Sequence, residues 1–175
     1  RLSGDCPQAN IVFMGGSAFG GTHGAWLDLA DVSSASIDFT NMAFSGPGSA
    51  VESTYGLKVE TGESANVQLS NLTVGGADTG LAIYASSGEA TVRVSEVDSD
   101  VIVRRGVIIE ASSADVQAVV EDCTLMSTDP VGGLQAQSFE ITTPSSLLLD
   151  LTHNDSESWF YLAQWGGSSV SLARS

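Results

Sequence analysis

Residues 55–74 read YGLKVETGESANVQLSNLTV, and this stretch contains the pattern that decides the fold. A glycine precedes a short strand of alternating apolar residues, a polar turn follows, and a second alternating strand comes after the turn. Residues 79–97 (TGLAIYASSGEATVRVSEV) and 105–125 (RGVIIEASSADVQAVVEDCTL) repeat this order. Because a period of two places every second side chain on one face, each copy predicts two β-strands with one apolar face.

The copies recur at a nearly constant period. The glycines that precede the first strand of each copy are Gly56, Gly80, Gly106 and Gly133, which lie 24 to 27 residues apart. Gly24 fits as an earlier member that is separated by a longer loop. Apolar residues rarely recur at helical spacing, so we expect no crossover helices between the copies. Strand pairs at a fixed period are typical of a solenoid, in which each copy forms one coil.

Stacking of the coils predicts two continuous ladders of inward side chains. The first ladder contains Leu57, Leu81, Val107, Leu134 and Phe160, and the second contains Ile37, Val67, Val92, Ala118, Leu149 and Val170. We therefore predict an all-β fold, a right-handed parallel β-helix (solenoid) of about six coils. Residues 1–23 would be an N-terminal cap or a degenerate coil, and residues 24–175 the coils. The alternative is a β-sandwich or jelly roll, which also contains many short alternating strands.

The chain is strongly acidic. It has 21 Asp and Glu residues against 6 Lys and Arg, a net charge of −15, and Lys58 is its one lysine. A surface with this charge repels phosphate backbones and anionic lipid, so we expect no nucleic-acid partner. No apolar run approaches the roughly 18 residues of a membrane helix, so we expect no membrane span.

The repeat resembles the pectate-lyase-like right-handed parallel β-helices, which include polysaccharide lyases, phage tailspikes and autotransporter passenger domains. The shared features are the glycine-led strand, the Val-x-Leu type of strand and the Asn-x-Thr turn, and they cover roughly residues 24–172. The resemblance concerns the fold more than the function, because one fold hosts many functions. It implies an extracellular or cell-surface location.

The lyases of this fold also imply a calcium site of clustered carboxylates with a Lys or Arg as base. The carboxylates that match best are Glu96, Asp98, Asp100 and Asp122, with Glu121, Arg93, Arg104 and Arg105 nearby. Successive coils would bring Glu96 and Asp122 together, and two such carboxylates repel unless a cation or a proton intervenes. The other interpretation of this segment is a solvated acidic turn.

Aromatic side chains form the candidate ligand-binding set. Trp159, Tyr161 and Trp165 lie near the C-terminal end of the repeat, and Trp26 is outward on the same line of strand positions as Lys58. Outward aromatic rings stack on sugars or pack against proteins. They serve equally well to cover the end of a solenoid.

The sequence predicts no catalytic residues. His23 and His153 are expected four or five coils apart, about 20 Å at one strand spacing per coil, so they cannot share a catalytic triad. Cys123 occupies an inward position of the repeat, which predicts a buried and unreactive thiol. Cys6 is expected several coils away, too far to form a disulfide with it.

These features favour a non-catalytic secreted or cell-surface β-helix module, part of an adhesin, a passenger domain or a stalk, with a surface glycan or a protein receptor as partner. The alternative is a carbohydrate-active β-helix, either a calcium-dependent polysaccharide lyase or a glycan-binding module. A glycoside hydrolase needs two carboxylates across a cleft, and acidic pairs are too common here to indicate one. A β-helix without evident caps leaves free strand edges, which predicts end-to-end self-association or continuation in a longer parent chain.

Overall fold

The chain folds entirely into strands and their connections over the residues that the structure describes. The computed structural model describes residues 2–3, 7–48, 54–99, 102–112, 114–125, 137–143, 147–152, 155–156 and 159–164. The strands are β1 (Leu2–Ser3), β2 (Gln8–Phe19), β3 (His23–Leu29), β4 (Ser34–Ser45), β5 (Tyr55–Thr61), β6 (Ser64–Gly75), β7 (Ala77–Ala85), β8 (Glu89–Ser99), β9 (Ile102–Ala111), β10 (Asp115–Glu121), β11 (Thr124–Leu125), β12 (Gln137–Thr143), β13 (Leu147–Thr152), β14 (Asp155–Ser156) and β15 (Trp159–Gln164). Within these ranges there is no helix that is long and apolar enough to cross a membrane.

Two parallel sheets stack the coils into a solenoid. Sheet A has the strand order β1-β3-β5-β7-β9-β12-β15, and sheet B has the order β13-β10-β8-β6-β4-β2, with β11 and β14 as a side branch. Each coil contributes one strand to each sheet, so a strand pairs with its counterpart in the next coil. All of the described pairs are parallel, which confirms the predicted solenoid and makes the β-sandwich or jelly roll wrong. Four coils, β3–β4 to β9–β10, are described along both strands, fewer than the six or so predicted, and further strands extend both sheets.

The predicted ladders form columns of buried side chains between the sheets. In sheet A, Leu81 pairs with Leu57 on one side and with Val107 on the other, and all three are fully buried. In sheet B, Ile37, Val67, Val92 and Ala118 form a paired and buried column, and the backbone register continues it from Ala118 to Leu149. Val170 lies outside the described residues. The side chains at every second strand position therefore point into the apolar core. This is why apolar residues alternate with polar ones along the sequence.

The fourth member of the sheet A ladder differs from the prediction. Val107 pairs with Phe139, and Phe139 pairs with Phe160. The predicted Leu134 lies outside the described residues. The chain offers two apolar alternations after Gly133, and the pairing of β12 with β9 selects the later one, so the connection before β12 is longer than the constant period implied.

A kink divides the long strands of sheet B. The residues at the kink have positive φ and stack in successive coils: Gly15 (75°), Asn41 (57°), Asn71 (50°), Glu96 (53°) and Asp122 (52°). The left-handed residue inserts one position into the alternation, so that Phe39 before it and Phe44 after it both face the core. Asn is one of the few residue types that adopt this conformation readily, and Asn71 Nδ2 donates a hydrogen bond to Asn41 Oδ1.

Replacing Glu96 with Asn is expected to stabilise the chain. Glu is poorly suited to φ 53°, and a non-glycine residue held in this region costs on the order of 1–3 kcal/mol, of which Asn should recover about 0.5–1 kcal/mol. The substitution also removes one negative charge beside Asp122. Urea titration followed by circular dichroism measures the gain. Glu89→Asn, the same change at an exposed position of β8 without positive φ, is the control, and an equal gain there would contradict the strain at Glu96.

Candidate functional site

The outer face of sheet A carries a group of aromatic and charged side chains, here called the outer cluster. Its members are His23, Trp26, Tyr55, Lys58, Glu60 and Tyr84. They come from β3, β5 and β7, where Trp26 pairs with Lys58 and Glu60 pairs with Tyr84. Their neighbours Leu57 and Val59 are fully buried in the core, so the alternation of the strand places Lys58 and Glu60 on the opposite face.

Lys58 lies at the centre of the outer cluster. Its Nζ is 4.9 Å from the ring centroid of Trp26 and 5.4 Å from the ring centroids of both Tyr55 and Tyr84. The same nitrogen lies 3.0 Å from Glu60 Oε1, and only 17% of the Lys58 side chain is exposed. Cation–π contacts of this kind contribute about 0.5–2 kcal/mol each, more when water is excluded. The one lysine of the chain therefore links three coils rather than extending freely into solvent.

The remaining polar atoms of the outer cluster are largely bonded to one another. Trp26 Nε1 donates a hydrogen bond to Glu60 Oε2, so Glu60 serves both Trp26 and Lys58. The hydroxyls of Tyr55 and Tyr84 are 3.3 Å apart. Burial, aided by this hydrogen bond, raises the pKa of Tyr84 well above its usual range, so its hydroxyl stays protonated. The aromatic rings remain half-buried, which leaves part of each ring surface accessible.

His23 is the member of the outer cluster with an unused polar atom. Its ring lies edge-on to Trp26 at 5.3 Å between centroids and 5.2 Å from the ring of Tyr55. Nδ1 is buried and has no hydrogen-bond partner. Burial lowers the pKa of His23 below 6.5 and Lys58 lowers it further, while the backbone of Thr22 and Glu60 act in the opposite direction. The imidazole is therefore neutral at neutral pH.

We expect His23 to make the stability of the chain pH-dependent. Because its pKa is lower in the folded state, the unfolded chain binds more protons below pH 6.5. The full stability is present above that pH and is lost as the pH falls below it. His23→Gln should flatten this part of the curve when urea unfolding is measured between about pH 7.5 and about pH 5.5. His153→Gln, which replaces the other histidine, is the control, and identical curves for the native chain and His23→Gln would show that His23 titrates freely.

The predicted ligand-binding aromatics lie at two ends of sheet A. Trp26 is in β3, whereas Trp159 and Tyr161 are in β15. Tyr161 is aligned with Trp26 through the paired strands, but five strand spacings, about 24 Å, separate β15 from β3. Trp165 lies outside the described residues. One ligand of the size of a few sugar units would contact one end or the other.

Sequence reasoning did not find the other members of the outer cluster. His23, Tyr55, Glu60 and Tyr84 are scattered over 62 positions of the chain, and the register of three coils brings them together. One signal was available: Glu60 and Tyr84 each lie two positions after a residue of the outward line that contains Trp26. That line is also less exposed than expected, because Ala82 and Ile108 on it are buried.

The carboxylates expected to bind calcium are described in part. Glu96 and Asp122 occupy the kink position of neighbouring coils, as predicted, and Asp98 follows in β8; all three side chains are exposed. Asp100 lies outside the described residues. Within the described part of the chain no three His, Cys, Asp or Glu side chains lie close enough together to hold a metal ion. Calcium binding at this corner stays a prediction.

Cys123 lies in the core, as predicted, with 1% of its surface exposed. Burial raises the pKa of its thiol to about 11, with smaller contributions in the same direction from the carboxylates of Asp122, Asp98 and Glu121 and an opposite one from the backbone of Val97. Its Sγ lies 3.2 Å from the carbonyl oxygen of Glu121. Cys6 lies outside the described residues.

The Cys123 thiol is expected to react with a thiol reagent at least about 100-fold more slowly in the native state than after denaturation, because both access and thiolate formation are suppressed. The experiment uses the Cys6→Ser background, so that one thiol is present. Cys123→Ser with Thr124→Cys moves that thiol to the next, exposed position and should label rapidly. Equal native-state rates for the thiols at positions 123 and 124 would contradict the inward position of Cys123.

The outer cluster is better suited to binding than to proton transfer. Lys58 is ion-paired with Glu60, and the Tyr84 hydroxyl stays protonated. The partly exposed rings of Trp26 and Tyr55 offer an apolar surface to a ligand, whereas Nδ1 of His23 is buried beneath them. Comparison of the chain with models of known protein families, with curated proteins and with solved structures finds no match.

Proposed function

We propose that this chain is a non-catalytic β-solenoid module of a secreted or cell-surface protein, a scaffold of the kind found in adhesins, passenger domains and stalks. The observation that carries the proposal is the shortness of three connections in the described coils, residues 30–33, 62–63 and 86–88. These turns give no long side loops to wall a substrate groove. A stack of such coils is a regular rod that presents its faces to a partner.

The location of the parent protein is tested on intact cells. The proposal expects an antibody against the solenoid to label unpermeabilised cells or to detect the protein in the medium. Protease added to intact cells should remove the cell-associated signal. A signal that appears only after permeabilisation would place the protein inside the cell and overturn the proposed secreted or cell-surface scaffold.

A glycan-binding role for the same module is favoured by the outer cluster. The aromatic rings of the outer cluster are partly exposed, and such rings pack against the apolar faces of sugars. Lys58 is already paired with Glu60, and the chain carries a net charge of −15. Because such a surface repels polyanions, the glycan that fits best is neutral rather than a polyuronate.

Titration with neutral oligosaccharides and with oligouronates, followed by calorimetry, tests this role. We expect binding of a neutral oligosaccharide that Trp26→Ala abolishes. Trp159→Ala, which truncates the same type of side chain at the other end of sheet A, is the matched control and should retain binding. Equal loss in the two variants, or binding of oligouronates alone, would remove the outer cluster as the glycan site.

The proposal also expects no lyase activity. Arg93, one of the arginines near the acidic corner, is ion-paired with Glu121 in the described structure. The test is incubation with polygalacturonate and alginate, with and without calcium, while the absorbance of unsaturated products is followed. Unsaturated products that disappear in Asp98→Asn would establish the calcium-dependent lyase in place of the scaffold.

A further inference from the structure

Among the residues that the structure describes, the first strand of sheet B has one unpaired edge. β2 lies at the end of the strand order and, among the described residues, pairs with β4 alone. Its sequence, QANIVFMGGSAF, contains no charged residue and no proline, although the chain carries a net charge of −15. Exposed edges usually carry lysine, proline or inward charges that prevent pairing with another chain. β2 has none of these protections.

The apolar ladders continue onto β2 without being covered there. Ile11 and Phe13 pair with Ile37 and Phe39 of β4, and the rings of Phe13 and Phe39 are 5.3 Å apart. Phe39 is 2% exposed, whereas Phe13 is 46% exposed. Because the two phenylalanines occupy equivalent positions of neighbouring coils, the difference reflects that, among the described residues, β2 has a neighbouring strand on one side and β4 has one on both. Met14, at 75% exposure, adds to this apolar edge.

An apolar space opens beside the same edge. A pocket of about 270 Å³ lies between the sheets in the first coils, and it is lined by Phe13, Ala18, Ala25, Phe39, Met42 and Phe44 among others. In the interior of a protein such a space is normally filled, because unfilled apolar surface forfeits both burial and dispersion contacts. The end of the solenoid is therefore apolar across its core as well as along its edge strand.

We propose that β2 is a homodimer interface, in which the β2 strands of two copies pair antiparallel about a two-fold axis and extend sheet B from one copy into the other. The straight arm of β2 runs from Gln8 to Met14 and ends at the kink at Gly15. Pairing the whole arm with itself places the two-fold axis at Ile11, so that Gln8 faces Met14 of the second copy. A two-fold contact of this kind closes after two copies.

The main-chain N–H and C=O groups on the free edge of β2 are oriented to form hydrogen bonds in this register. The N–H of Ser34 donates to the carbonyl of Pro7, so the main-chain groups of Pro7 face β4. Because these groups alternate along a strand, those of the even-numbered residues from Gln8 to Met14 face the free edge. In the register about Ile11 even residues pair with even residues. Each pair then exchanges both of its hydrogen bonds, and Phe13 packs over the small Ala9 of the second copy.

Sedimentation or multi-angle light scattering measures the assembly. As the protein concentration increases, the mass should rise from 18.0 kDa toward twice that value and then level off. Salt should strengthen the dimer, because it screens the repulsion between two acidic copies. The short interface predicts dissociation in the micromolar range or weaker. Val12→Pro removes an edge N–H and should give a monomer of unchanged circular dichroism. Val12→Thr keeps that N–H and is the matched control.

Disulfide trapping tests the register separately, in a background with Cys6→Ser. Ile11→Cys places two thiols opposite each other on the two-fold axis, where an antiparallel non-hydrogen-bonded pair brings the Cα atoms to about 4.5 Å. It should form a covalent dimer on mild oxidation, whereas Ala9→Cys, which faces Phe13, should not. A monomer at every salt concentration, a mass that grows beyond two copies, a dimer unaffected by Val12→Pro, or equal trapping of both cysteines would overturn the proposal.

Discussion

Leu81→Asp is expected to abolish cooperative folding. Leu81 is fully buried in the middle of sheet A, between Leu57 and Val107 of the neighbouring coils. A carboxyl group at this position has no partner, and burying it costs about 5 kcal/mol or more. Because native domains are stable by only about 5–15 kcal/mol, a loss of this size removes most or all of the folded population. Circular dichroism and urea titration measure it directly.

Gln68→Asp is the control for this substitution, because it introduces the same carboxyl at an exposed outward position of β6. Its neighbours in adjacent strands are Asp38 and Arg93, one of each charge. The expected change in the free energy of unfolding is within about 0.5 kcal/mol. If the two substitutions destabilised the chain equally, the inward and outward faces described here would be wrong.

Gly56→Ala is expected to destabilise the chain by about 2–4 kcal/mol, although alanine usually stabilises a strand relative to glycine. A Cβ on Gly56 would lie 2.6 Å from the carbonyl oxygen of Gly80 and 3.4 Å from that of Phe44. Both obstacles are backbone atoms of packed strands, so neither can move away cheaply. Gly24 repeats the situation one coil earlier, where a Cβ would meet the carbonyl oxygen of Gly56 at 2.5 Å.

Gly21→Ala is the matched control, because a Cβ on Gly21 meets no atom within 4 Å. This change should be neutral or slightly stabilising, since alanine reduces the conformational freedom of the unfolded chain. Urea titration of both variants decides the matter. A neutral Gly56→Ala would mean that the coils can separate locally, and the glycine spacing would then reflect turns rather than close packing.

The glycines show what the repeat period of the sequence predicts and what it leaves unexplained. The spacing of Gly24, Gly56, Gly80 and Gly106 is enough to place the start of each coil. What the period does not show is why glycine is needed there. At Gly24 and Gly56 the reason is the close approach of backbone from other strands, which is a property of stacked coils and not of any one copy.

The kink in sheet B and the fourth position of the sheet A ladder are two further features that the sequence pattern alone does not predict. The Asn-x-Thr pattern indicated a turn, but the positive φ at Asn41 and at the equivalent residues of the later coils follows only from the need to face both arms of each sheet B strand toward one core. Likewise, the choice of Phe139 over Leu134 depends on which alternation pairs with Val107. Local pattern alone does not rank two such alternations.

The sequence by itself determined the parallel solenoid, the inward ladders as far as Val107 in sheet A and Leu149 in sheet B, and the burial of Cys123. It did so because the alternation of apolar residues and the length of the repeat can both be read from the sequence, and together they fix the register in which the coils stack. The tertiary structure alone decided the outer cluster and the apolar edge of β2. Lys58 meets Trp26 and Tyr84 across coils, and Phe13 of β2 is far more exposed than Phe39 at the equivalent position of β4. Contacts between coils join residues that are distant in sequence, and exposure at an end depends on which strand comes first in the sheet.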